Sequence, residues 1–227
     1  NLGDNFEKVI ATGNEILCFC CIDFNIAYGF SVVIKDINLE FNIGKIEQNR
    51  KETIERLKEE KLMDLNKEIE IPLVISKIAI IASLHTSGYE DFITNIRKNK
   101  YGYRYEIDEF STSVQGKEAE AEIVKALKKA DRKKYDCIVV IRGGGSKIDL
   151  DVFNSYEISK QVSAMQSPVF TGIGHETDST VIDFTANNTF KTPTEVSNYI
   201  LNKSYEFEQS IQNTYGLIME SYTALME

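Results

Sequence analysis

The sequence predicts an α/β protein built on a doubly wound, mainly parallel sheet, with a β segment before it and a long helix after it. Short apolar runs at residues 78–81, 137–141 and 168–173 are typical of strands buried on both faces of a parallel sheet. Segments with helical periodicity alternate with these runs, which indicates right-handed strand–helix–strand crossovers. Glycines follow the run at residues 168–173 directly and the run at residues 137–141 after one residue, as in the ligand-binding turns of such sheets.

Four segments are expected along the chain. In residues 1–44 the apolar pattern predicts the last strands of a small barrel. A third strand is expected to begin at Phe41 and Ile43. Residues 45–71 predict a connecting helix, ending near Asp64, and a linker. Residues 72–190 form the predicted α/β domain. Residues 191–227 predict the start of a long C-terminal helix with an apolar seam, capped by Thr194.

Composition narrows the classes of function. The chain has 227 residues and a net charge of −9, which argues against non-specific nucleic-acid binding because the overall field repels phosphate. Two basic clusters fit solvated helix ends: Arg97, Lys98, Lys100 and Arg104, and then Lys125, Lys128, Lys129, Arg132, Lys133 and Lys134. With no apolar run of membrane-spanning length and no signal-peptide pattern, we expect a cytoplasmic protein without a membrane partner. Cys18, Cys20 and Cys21 lie in an apolar run and are expected as buried free thiols.

The stretch with the clearest chemistry follows the run at residues 137–141. Arg142 is followed there by Gly143, Gly144, Gly145 and Ser146. Glycines let backbone N–H groups approach a ligand closely, and Ser146 can cap a following helix. Such a turn at a helix start favours an anion, usually a phosphate, and the Arg142 guanidinium matches phosphate geometry. A simple tight turn is the open alternative. The spacing fits neither the dinucleotide fingerprint nor the Walker A loop.

A second strand end carries ionisable side chains. The run at residues 168–173 leads into Gly174-His175-Glu176-Thr177-Asp178. A histidine pKa near 6.5 suits general acid–base chemistry, and Asp178 is spaced to orient the His175 imidazole. Asp91 is expected in the first turn of the helix after residues 78–81, at the same edge of the sheet. Purely structural roles for His175 and Asp91 remain open.

Taken in order, these pieces resemble the large subunit of exodeoxyribonuclease VII. Arg142-Gly143-Gly144-Gly145-Ser146, Asp149-Leu150 and Phe153-Asn154 are similar to the family's R-G-G-G-S-x-x-D-L-x-x-F-N. The run 174–178 with Asp183-Phe184 and Ala186 is similar to G-H-E-T-D-x-T-x-x-D-x-x-A, and Thr192-Pro193-Thr194 to T-P-[ST]. One segment departs from the pattern. The glycine of the family's T-S-x-x-G-A-A is displaced by two positions, to Gly88, which predicts a different shape for the loop before Asp91.

The resemblance implies a nuclease that cuts single-stranded DNA from its ends into oligonucleotides. It assigns catalysis to Asp91, Arg142, His175 and Asp178, and phosphate or DNA binding to Gly143, Gly144, Gly145, Ser146 and Thr177. It also implies that residues 1–44 end an OB-fold, that residues 72–190 are the catalytic domain, and that the C-terminal helical region recruits several copies of a small subunit. No cofactor is obligatory in the family. Mg²⁺ is an optional addition, with Asp91 as a further acid–base group or a metal ligand.

Two classes of function follow. The first is hydrolysis of single-stranded DNA, with Arg142 stabilising the phosphate charge and His175 activating water or protonating the leaving oxygen. The alternative is a non-catalytic single-stranded nucleic-acid or nucleotide-binding α/β module with the same phosphate cradle, which the acidic composition favours slightly. Both ends of the chain read as interior points of a longer protein. We therefore expect this stretch alone to fold but to be weak or inactive as a nuclease.

Overall fold

The computed structural model describes residues 17–25, 28–37, 39–113, 118–143, 147–173 and 179–226. Its strands are β1 (Cys18–Asn25), β2 (Gly29–Ile37), β3 (Lys77–Ala82), β4 (Glu106–Ser111), β5 (Cys137–Ile141), β6 (Val169–Gly172) and β7 (Asn188–Thr189). Its α-helices are α1 (Leu39–Glu59), α2 (Ser87–Arg97), α3 (Ala119–Asp131), α4 (Tyr156–Ser163), α5 (Val181–Thr185) and α6 (Pro193–Met226). A 3-10 helix, Lys147–Asn154, precedes α4. Within these ranges, no helix has both the length and the apolar character needed to cross a bilayer.

A five-stranded parallel sheet organises the main body of the protein. Its strand order is β4-β3-β5-β6-β7, so the order reverses between β3 and β5. The predicted strands at residues 78–81, 137–141 and 168–173 are confirmed as β3, β5 and β6. All five residues of β5 are buried, as a strand covered on both faces requires.

Helices cover both faces of this sheet. Alternate residues of β3 and β5, such as Ala79 and Val140, pack on one face against α3, the 3-10 helix, α4 and α5. The intervening residues, such as Ile80 and Val139, pack on the other face against α2 and the first turns of α6. The period-two alternation of a strand therefore divides one apolar run between two separate core clusters.

The connection between α1 and β3 is fixed to the sheet by the fully buried Asn66. Its side chain donates to the Ser167 carbonyl at 3.1 Å and accepts from the Val169 N–H at 2.9 Å. The helix α1 ends at Glu59, before the predicted end near Asp64. The segment after α1 is thus held to the sheet by the hydrogen bonds of Asn66, because a buried amide side chain needs partners for its donor and acceptor atoms.

The N-terminal strands form a two-stranded antiparallel sheet in which Phe24 pairs with Phe30. The prediction of a third strand that begins at Phe41 is wrong, because α1 already begins at Leu39. The expected burial of the thiols is also wrong for Cys20 and Cys21, which are exposed. A run that is apolar at successive positions needs cover on both faces, and the described residues place no second layer over this hairpin.

The last helix, α6, packs against the domain through its N-terminal half, from the fully buried Val196 and Ile200 to Glu208, which accepts a hydrogen bond from the Tyr103 hydroxyl. The apolar seam predicted further along is exposed at Ile211, Tyr215, Ile218, Tyr222 and Leu225. The predicted cap at Thr194 is wrong. The helix starts at Pro193, and Thr192 accepts the Glu195 N–H at 3.1 Å. Proline is suited to the first helical position because its missing N–H would have no helical partner.

Candidate functional site

A crevice is expected at the carboxyl edge of the sheet where the strand order reverses. The chain leaves β3 toward α2 on one face, and it leaves β5 toward the 3-10 helix and α4 on the other. The connections after these neighbouring strands therefore diverge. Of the predicted residues that the structure describes, Asp91 follows β3, while Arg142 and Gly143 follow β5.

The two diverging connections touch through their backbones. A Cβ atom added to Gly88 in α2 would lie 2.7 Å from the Arg142 carbonyl oxygen and 2.7 Å from the Gly143 Cα. A Cβ atom added to Gly143 would lie 2.8 Å from the Cβ of Thr86. All three distances are shorter than a Cβ atom can adopt without a shift of its neighbours, so glycine is required on both sides. The displaced glycine of the Asp91 loop is thus the residue that lets this loop approach the Arg142 turn.

Arg142 lies inside this edge of the sheet. Only 6% of its surface is exposed, and its N–H donates to the Gly172 carbonyl at 3.4 Å, which ties the end of β5 to the end of β6. A guanidinium matches the geometry of a phosphate, so an arginine at this edge of the sheet is suited to binding an anion. Arg142 thus lies at the carboxyl end of β5, on the edge of the sheet where the sequence analysis expects it.

The first turn of α2 lies at this edge of the sheet, and the first N–H groups of a helix have no partners within the helix. Thr86 precedes the helix, but its hydroxyl donates to the Ser83 carbonyl at 2.8 Å and makes no capping bond. The first-turn amides are therefore not occupied by that side chain. Burial, with a hydrogen bond to Glu109, raises the pKa of Tyr89 to about 12.

Asp91 is exposed and is the fifth residue of α2. It therefore lies just after the first turn, in which the sequence had placed it. The acidic residue of the first turn is Glu90, which pairs with the His85 imidazole at 3.8 Å. Residues three apart on a helix are neighbours on its surface, which puts Asp91 one turn from Gly88 and its contact with Arg142. The structure thus brings Arg142, Gly143 and the start of α2 together, with Asp91 beside them.

The remaining predicted positions lie outside the described residues: Gly144, Gly145, Ser146, His175, Thr177 and Asp178. Within the described ranges, no group of three or more His, Cys, Asp or Glu side chains is arranged to hold a metal ion.

Two side chains without a predicted role, Asp183 and Asn154, hold the residues that follow the run 174–178. Asp183 accepts from Thr171 Oγ1 at 2.6 Å, and from the N–H and hydroxyl of Thr180, both at 2.8 Å. Asn154 accepts from the Val181 N–H at 3.1 Å. The sequence signal for them was that Asn154 and Asp183 match named residues of the two family motifs.

The fold defines a class of protein: an open parallel α/β domain in which an arginine and a glycine lie at the carboxyl edge of the sheet, where the strand order reverses. The model of the family described as exonuclease VII, large subunit, matches residues 62–227. The chain belongs to this family, as its motifs predicted.

Individual relatives agree with the family match. The exodeoxyribonuclease 7 large subunit of Thermotoga petrophila is 32% identical over 212 residues, which is 93% of this chain and 53% of the relative. The protein of the same name from Campylobacter hominis is 35% identical over 151 residues, 66% of this chain and 38% of the relative. The Thermotoga maritima protein is 31% identical over 220 residues, 96% of this chain and 55% of the relative. The chain spans about half the length of the Thermotoga relatives.

Proposed function

We propose that this chain carries the nuclease site of an exodeoxyribonuclease VII large subunit, which hydrolyses single-stranded DNA from its ends into oligonucleotides. The observation that carries the proposal is the backbone contact that sets Arg142 and Gly143 against the start of α2. An arginine and a glycine turn whose backbone lies against a helix N-terminus are suited to binding a phosphodiester. The relatives, named exodeoxyribonuclease 7 large subunits, support the reaction class.

In this proposal Arg142 binds the scissile phosphate and stabilises the negative charge that develops on it. The amides of Gly143, Gly144, Gly145 and Ser146 position the phosphate, together with Thr177. His175 activates water or protonates the leaving oxygen, and Asp178 orients its imidazole. Asp91, exposed beside the crevice, serves as a further acid–base group or as a ligand for optional Mg²⁺.

The wider organisation is part of the same proposal. Residues 1–44 are the end of an OB-fold that grips DNA, residues 45–71 connect it to a doubly wound catalytic domain at residues 72–190, and residues 191–227 begin the helical region that recruits copies of the small subunit. The exposed apolar seam of α6 supports this last assignment, since such a seam is suited to helix–helix packing.

The test uses the full-length large subunit assembled with its small subunit, acting on end-labelled single-stranded DNA. We expect Arg142→Ala to lower kcat by at least about 100-fold, as for loss of a charge-stabilising donor. Affinity for DNA should change by less than about tenfold, because many phosphate contacts share the binding energy. His175→Ala should lower kcat in the same way. Parallel losses of affinity and turnover in Arg142→Ala would favour the non-catalytic binding module, and near-normal cleavage by His175→Ala would contradict its assigned role.

A further inference from the structure

A long-range contact joins the connecting helix α1 to the chain directly after residues 174–178. The Arg50 guanidinium donates from Nη2 to the Ser179 carbonyl at 3.0 Å and to the Ser179 hydroxyl at 3.3 Å. The same guanidinium lies over the Phe184 ring, 5.6 Å from its centroid, and Glu47 accepts from Nη1 at 3.3 Å. The Arg50 side chain is therefore fixed from three directions.

Ser179 is the residue at which the described chain resumes after the run 174–178. The next two residues are anchored from within the domain, Thr180 by Asp183 and Val181 by Asn154. Arg50 extends this row of anchors by one residue toward Asp178, and it does so from outside the sheet. A charged donor on a backbone carbonyl makes a stronger bond than a neutral one.

Attachment of α1 to the domain does not depend on Arg50. Six residues further along, the Arg56 guanidinium lies 3.5 Å from the centroid of the Tyr156 ring, and the Tyr156 hydroxyl donates to Glu60 at 2.5 Å. Leu57, between them, is fully buried. The ion pair of Arg50 with Glu47 is partly exposed: 22% of the Arg50 side chain and 50% of the Glu47 side chain are accessible to solvent. Exposed ion pairs contribute little to stability. The bonds to Ser179 therefore serve mainly to position the chain.

We propose that Arg50 is a positioning residue for the nuclease site, because it fixes the chain immediately after the predicted catalytic residue Asp178. This inference rests on the proposed function. It makes α1, which leads from the N-terminal hairpin into the domain, part of the support of the site. Small displacements of a reacting group lower the rate strongly while substrate binding changes little.

The experiment compares Arg50→Ala and Arg50→Lys with the control Arg56→Ala, all in the full-length large subunit assembled with its small subunit. The substrate is end-labelled single-stranded DNA. We expect Arg50→Ala to lower kcat by about 10- to 100-fold. KM should stay within about twofold and Tm within about 2 °C of the wild type. Arg50→Lys should recover part of kcat, because an ammonium can still donate to the Ser179 carbonyl. Arg56→Ala should keep the wild-type kcat.

Wild-type turnover in Arg50→Ala would overturn the inference. An equal loss of kcat in Arg56→Ala would also overturn it, since that result would assign the effect to attachment of the helix. Arg142→Ala, measured in parallel, separates this inference from the proposed function. If Arg142→Ala is inactive while Arg50→Ala is fully active, only the role of Arg50 fails. If Arg142→Ala retains full turnover, the proposed function itself fails.

Discussion

Substitution of Gly88 by alanine tests the close approach on which the candidate site depends. The new Cβ would lie 2.7 Å from the Arg142 carbonyl oxygen, 2.7 Å from the Gly143 Cα and 3.0 Å from the Gly143 nitrogen. All three are backbone atoms and cannot rotate away as a side chain could. The two connections must therefore move apart at the carboxyl edge of β3 and β5.

The size of the effect follows from the cost of overpacking. Forcing one methyl group against fixed neighbours costs about 1–3 kcal/mol. For a domain of this size, each kcal/mol lowers Tm by about 2–4 °C, so a cost of about 2 kcal/mol predicts a decrease of about 4–8 °C. Since Arg142 moves with its carbonyl, we expect DNA cleavage by the full-length complex to fall at least about tenfold at a temperature where the variant remains folded.

Gly216→Ala is the matched control, because a Cβ at Gly216 in α6 would meet no atom within 4 Å. Alanine also favours the helix there by roughly 0.5–1 kcal/mol over glycine. We expect no loss of Tm or of cleavage. Thermal unfolding by circular dichroism and cleavage of end-labelled DNA measure both variants. A Gly88→Ala protein with the wild-type Tm and cleavage rate would refute the argument that the two loops are in backbone contact.

Two further predictions concern stability. Asp136 accepts from the N–H and hydroxyl of Ser76 and from the Lys77 N–H, at 2.8, 2.9 and 2.8 Å. Burial opposes its charged form, but these hydrogen bonds outweigh burial and lower its pKa below the ordinary value of 3.8. Its stabilising effect is therefore complete above about pH 3.8 and is lost as pH falls through the lower pKa of the folded state. Asp136→Asn should weaken the decline of the urea midpoint between about pH 5 and 2, and an unchanged decline would contradict this. Thr192→Ala should lower the free energy of unfolding by about 1 kcal/mol through loss of the α6 cap, whereas Thr194→Ala should not. Equal urea midpoints for the two threonine variants would count against this cap.

The central strands could be predicted from the sequence because burial on both faces leaves a continuous apolar run, as in β5. The start of α1 could not, since the alternation at Phe41 and Ile43 is too short to separate a strand from a helix. The cap of α6 was misassigned between two threonines that flank Pro193. The preference of proline for the first helical position identifies Thr192, which the structure confirms.

The candidate site was predictable only where chemistry follows directly from residue type. Arg142 and Gly143 could be assigned from the strand and glycine turn that contain them. The roles of Arg50 and Gly88 could not, because each depends on a contact with residues far along the chain: Arg50 with Ser179, and Gly88 with Arg142. The contact of Gly88 with Arg142 follows from the pairing of β3 with β5, and strand order is not encoded in local periodicity.

The strand order also decides what the two basic clusters can do. Each cluster covers the C-terminal part of a crossover helix and the connection to the next strand. Arg97 ends α2 before β4, and Lys128 and Lys129 lie in the last turn of α3 before β5. In a parallel sheet these connections lie at the edge opposite the carboxyl ends of the strands. Cations there stabilise the helix C-termini, which explains their placement without any ligand. In the proposed function, attraction of DNA to the site therefore comes from groups at the carboxyl edge, among them Arg142, the glycine turn after it and the first-turn amides of α2, against a net charge of −9. The proposed recognition of a phosphate therefore relies on short-range hydrogen bonds at the carboxyl edge of the sheet and not on the two basic clusters.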